Sequence, residues 1–110
     1  MGYALLFARQ LANTARKNRL NYEVMNVQNK KNNITNQITL LQNCINMLPK
    51  DSQEVVFLEF QKQMLAETMK FLDTRIASLQ AQAQKAEAEE KPIAEALTNQ
   101  ISLSTPQYMG

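Results

Sequence analysis

Between Tyr3 and Met109 the chain contains no glycine; its two glycines are Gly2 and Gly110. Glycine is the residue that supplies left-handed turn conformations and lets a backbone approach a phosphate closely, so P-loop, Rossmann and most tight β-hairpin architectures are excluded. A chain without such punctuation folds as long helix. Its 110 residues give room for one small domain.

The apolar residues confirm the period. From Leu20 to Leu48, steps of four and three visit Leu20, Val24, Val27, Lys31, Ile34, Ile38, Leu41, Ile45 and Leu48, a heptad seam interrupted once, at Lys31. With Val24 at position a, the frame runs back through Lys17, Asn13, Gln10, Leu6 and Tyr3, which predicts one helix over 3–48. Pro49 ends it, because the residue before a proline is pushed out of the α region. Asp51 to Glu54 offer an N-cap acceptor and a carboxylate for the next helix. The seam then restarts at Val55, Leu58, Lys62, Leu65, Met69, Leu72, Ile76, Leu79, Ala83 and Ala86, again with one lysine in it.

Two long helices joined by a turn over 49–52 pack antiparallel. The fold class is therefore all-α: a long, coiled-coil-like antiparallel helical hairpin pairing Leu48 with Val55, Ile45 with Leu58, Ile38 with Leu65, Val27 with Ile76 and Val24 with Leu79. The second helix is expected over 53–91, with packing that thins along its alanines. Pro92 either starts a short C-terminal helix over 92–101 as its N1 residue or kinks the rod so that 92–101 continue it alongside the N-terminus, completing a single domain over 1–101, and 102–110 form a mobile tail.

Chemistry is narrowed by what is missing. There is no His and one Cys, so catalytic and metal sites lose their usual members, and no catalytic, cofactor or metal residue is assigned. Cys44, at the seam edge, reads as a small half-buried residue, and Glu87, Glu89, Glu90 and Glu95 as a solvated face. Lys31 and Lys62 are expected to snorkel past the seam and fix register. Residues 1–50 carry seven bases against one acid, and residues 51–110 nine acids against five bases. The basic charges lack interleaved aromatic residues, so attraction between the two helices is favoured over nucleic-acid binding. No stretch approaches the roughly 20 apolar residues of a membrane span. Arg9 breaks the only apolar run near the start, so the chain is expected to be cytoplasmic or exported without a cleaved signal peptide.

Two features lie outside the seam. Asn26, Asn29, Asn32, Asn33, Asn36, Asn43 and Asn46 give the first helix an uncharged outer face. On the second helix Phe57, Met64 and Phe71 recur every seven residues, with Val56 and Phe60 beside them, forming an apolar stripe that a two-helix seam leaves uncovered. A fold-back of the N-terminal segment as a third helix, or another chain, would have to cover it.

A long helix, the turn Leu48-Pro49-Lys50-Asp51-Ser52 and a second long helix resemble the subunits of type III secretion needles and related hairpin filaments, over 20–91. The turn has one proline where needle subunits carry two, and small secreted hairpins of the WXG type share the size but not the Trp. The resemblance implies export without a cleaved signal and polymerisation through helix faces. The expected function is a non-enzymatic, self-associating structural subunit of a filament or other homo-oligomer. The alternative is an adaptor or chaperone-like module docking another helical protein through the same stripe.

Overall fold

The structure, a computed structural model, describes residues 2–101 with their side chains and assigns helix as far as Met109. Among the described residues there are two elements, α1 (Gly2–Met47) and α2 (Gln53–Met109), and no strand, so the protein is an all-α helical hairpin. α1 is continuous from Gly2, so the N-terminal segment makes no third helix folded back over α2. The turn is built from its own sequence: the Leu48 N–H bonds the Ile45 carbonyl at 3.2 Å as the helix tightens before Pro49, and the Ser52 N–H closes on the Pro49 carbonyl at 3.1 Å. Ser52 caps α2 by accepting the Val55 N–H on Oγ at 3.3 Å, and Glu54 places a carboxylate in the first turn, where the helix dipole favours it.

Packing groups the chain into two compact units. A terminal unit comprises Met1–Glu23 with Leu79–Gly110, and a turn unit comprises Val24–Ser78. In a pair of helices each level contacts only the level opposite, so no central core ties all levels together.

Within the turn unit the contacts run antiparallel: Lys31 with Asp73, Thr35 with Met69, and Gln42 with Lys62. The seam residues Val24, Val27, Ile34, Ile38, Leu41, Ile45, Leu48, Val55, Leu58, Leu65, Met69, Leu72 and Ile76 are all buried or half-buried. Both seam lysines hold named partners: Lys31 forms an ion pair with Asp73, and Lys62 donates to Oε1 of Gln42, whose Nε2 donates to Asn46 at 2.9 Å. Threonines in the helices return their hydroxyls to the carbonyl one turn back, Thr35 to Lys31 and Thr68 to Met64 among them.

The terminal unit departs most from expectation. Among the described residues it holds most of the buried side chains, with Ala86 at 0%, Leu79 at 2% and Leu20 at 4% exposure, and Leu97 and Asn13 also buried. The small side chain of Ala86 leaves its backbone carbonyl accessible to the opposite helix, and the Asn13 side chain donates to it at 2.8 Å. Nor does Pro92 begin a separate short helix over 92–101, since α2 continues through it. An interior proline removes one helical N–H, at a cost of about 3 kcal/mol when isolated. Around Pro92, Glu90, Ile93 and Ala94 are half-buried and Leu97 is buried, and this packing offsets the loss. The expected mobile tail, 102–110, lies outside the residues described with their side chains.

The two seam lysines differ in partner, which separates their substitutions. Lys62→Leu exchanges a charge bonded to a neutral amide for apolar burial and is expected to raise stability by about 1 to 2 kcal/mol. Lys31→Leu also strands the Asp73 carboxylate and should gain less. Thermal denaturation of the two variants checks the order.

Candidate interaction surface

The turn unit presents two apolar flanks, one on either side of its seam. The five stripe residues, Val56, Phe57, Phe60, Met64 and Phe71, are all exposed, from 55% for Met64 to 71% for Phe71. They do not form one stripe. Met64 lies with Leu40, Leu41, Cys44 and Leu65 on a groove of about 490 Å³ that is closed by Gln37 and Gln61. Val56 and Phe60 line a different groove of about 420 Å³, with Ile38, Glu59, Lys62, Gln63 and Ala66. The heptad explains the split: positions 57, 64 and 71 share one side of α2 with 61, whereas 56 and 60 share the other with 59 and 63.

Two of the large exposed apolar residues of the first flank come from α1. Leu40 and Met47, seven apart, are 64% and 85% exposed. They occupy on α1 the heptad position that Phe57, Met64 and Phe71 occupy on α2, a recurrence present in the sequence once the frame is set at Val24. Cys44 is exposed on this flank rather than half-buried. Phe57 extends it toward the turn, where Leu48, Gln53, Glu54, Phe57 and Leu58 line a further depression.

The flanks differ in charge. Along the first, the side-chain positions between Lys30 and Arg75 on one end and Glu54 on the other are Asn33, Gln37, Leu40, Cys44, Met47, Phe57, Gln61, Met64, Thr68 and Phe71, with no Asp, Glu, Lys or Arg among them. The second is crossed by Glu59, Lys62, Asp73 and Lys31. The asparagines at 26, 29, 32, 33, 36, 43 and 46 are all exposed and continue the uncharged surface over α1.

The terminal unit holds a polar cluster instead. Asn13, buried, donates from Nδ2 to the Ala86 carbonyl and accepts from Arg16 Nη2 at 2.9 Å. Arg16 also pairs with Glu89 at 2.7 Å, and Lys17 with Glu90 at 2.9 Å. Glu89 and Glu90 therefore face α1 cations rather than forming a solvated face, and the signal was available in the opposite charges of two adjacent doublets. Such a cluster sets register, as a buried asparagine does in a coiled coil. The hydrogen bond and the charge of Glu90 hold the Lys17 ammonium above its ordinary pKa of 10.5.

Among the described residues no group of three His, Cys, Asp or Glu side chains could hold a metal ion, and no helix is long and apolar enough to cross a membrane. No protein-family model, curated protein or solved structure matches the chain.

Because the folded state holds the Lys17 proton more tightly than the unfolded chain does, its contribution to stability is complete below pH 10.5 and is lost as pH rises through the raised value. Lys17→Met is expected to remove this part of the alkaline loss of stability. Urea midpoints of wild type and variant on both sides of pH 10.5 measure it, and the gap between them should narrow at the higher pH.

Proposed function

We propose that the protein is a non-enzymatic structural hairpin that associates with further copies of itself through the uncharged flank of the turn unit. The observation that carries this is the pairing of a seam already filled from both helices with five large apolar residues left exposed beside it: Leu40, Met47, Phe57, Met64 and Phe71. Exposed apolar side chains contributed by two helices to one groove are what a partner helix needs.

The absence of charge favours a second copy as that partner. In a symmetric contact the flank meets a second copy of itself, and a face without Asp, Glu, Lys or Arg sets no charge against a like one in any register. The flank bearing Glu59, Lys62 and Asp73 avoids repulsion only in registers that set its lysine against an acid. A contact of the flank with its own copy closes on a dimer, and the filament that the needle-like layout suggests needs a second, different contact in addition.

Phe57→Glu with Phe71→Glu is expected to abolish assembly while leaving helicity intact, because the seam is untouched and a charge in a desolvated contact costs several kcal/mol. Phe60→Glu, on the charged flank, should assemble as wild type does. Circular dichroism and sedimentation velocity of the same samples distinguish the outcomes. A wild-type chain that stays monomeric at all concentrations would leave the flank to a different helical protein, as in an adaptor, and would sink the self-association proposal.

A further inference from the structure

We infer that the outward face of the first turns of α1 lies on an anionic lipid surface. Ala4, Ala8, Leu11 and Ala15 recur in steps of four and three, as a seam does, but on the side of α1 away from the positions that pack against α2. All four are exposed, and Leu5 and Phe7 beside them are 67% and 48% exposed. Phe7 stacks on Tyr3 with ring centroids 6.4 Å apart, which holds two aromatic rings at the edge of this face. The terminal unit therefore has a second apolar stripe that its own packing does not use, and an apolar face of this kind on a helix too polar to span is the pattern of a helix lying in a bilayer interface.

The charge around the stripe selects the occupant. From Gly2 to Tyr22 the helix carries Arg9, Arg16, Lys17 and Arg19 and no acid. Arg16 and Lys17 turn toward Glu89 and Glu90 of α2, Arg19 is exposed, and Arg9, also exposed, lies at the edge of the groove that Glu89 lines. The remaining acids of α2 in this unit, Glu87 and Glu95, are exposed on the helix that carries no part of the stripe. A second copy laid face to face would set Arg9 and Arg19 against arginines, which is the reverse of the uncharged flank of the turn unit. A layer of anionic headgroups accepts both arginines, whose aliphatic stems can run along the acyl boundary while the guanidinium groups reach phosphate.

The test is vesicle flotation of the full chain, with phosphatidylcholine alone and with phosphatidylcholine enriched in phosphatidylserine. About tenfold more protein should float with the anionic vesicles, and added salt should reduce it. Leu5→Glu with Leu11→Glu, both outside the seam, should keep its helicity by circular dichroism and lose flotation. Arg9→Gln with Arg19→Gln should lose the preference for phosphatidylserine. Phe57→Glu with Phe71→Glu should float as wild type does, which keeps this inference separate from self-association. Absence of flotation with anionic vesicles, equal flotation with both vesicle types, or flotation that survives the Leu5/Leu11 variant would overturn the inference. So would a wild-type oligomer that the Leu5/Leu11 variant dissociates without any vesicle binding, since that assigns the face to a second copy.

Discussion

A pair of helices can bury one stripe of each helix and nothing more. Every property of this hairpin follows from how that stripe is filled. In the turn unit it is filled mainly with β-branched and leucine side chains, interrupted by Lys31 and Lys62, and the grooves beside it are lined largely by apolar residues. In the terminal unit Ala83 and Ala86 take the place of larger residues, an asparagine bridges from one helix to a carbonyl of the other, and the grooves beside the seam are lined mainly by charged and amide side chains. The occupants of the seam and its edges thus decide which grooves are apolar and which are polar.

The same constraint makes the surface informative. Among the described residues no third element covers the hairpin, and Leu40, Met47, Phe57, Met64 and Phe71, exposed off the stripe, are not core. Charge then sorts the exposed faces by occupant. The flank that lacks charge suits a copy of itself, and the face bordered by cations suits an anionic partner. Both assignments come from the occupancy of heptad positions outside the seam, which is also where the asparagines of α1 sit.

Much of the fold is legible in the sequence, because a heptad of aliphatic residues has only one helical solution. Each residue from Leu20 to Leu48 and from Val55 to Ala86 in the two frames is buried or half-buried. What escaped was where a single-residue rule yields to context. Alanine at a seam position suggests weak packing, yet Ala86 is fully buried and its carbonyl takes a hydrogen bond from Asn13 of the opposing helix. Proline suggests a helix boundary, yet at Pro92 the helix continues because the surrounding turns are packed. The candidate surface was half visible: aromatic residues mark the α2 side, while Leu40 and Met47 on α1 needed the heptad frame to be extended to positions that do not pack. Spacing also separates Val56 and Phe60 from Phe57, Met64 and Phe71, a distinction that neighbouring apolar residues in the sequence conceal.

Cys44 reports directly on the uncharged flank, being the one cysteine of the chain, exposed, and on the wall of its groove. The alkylation rate of its thiol by a small reagent, followed from micromolar to near-millimolar protein, measures whether that groove becomes covered. Self-association through the flank predicts a rate that falls as concentration rises. A rate that stays constant while sedimentation shows assembly would place the contact elsewhere and contradict the account.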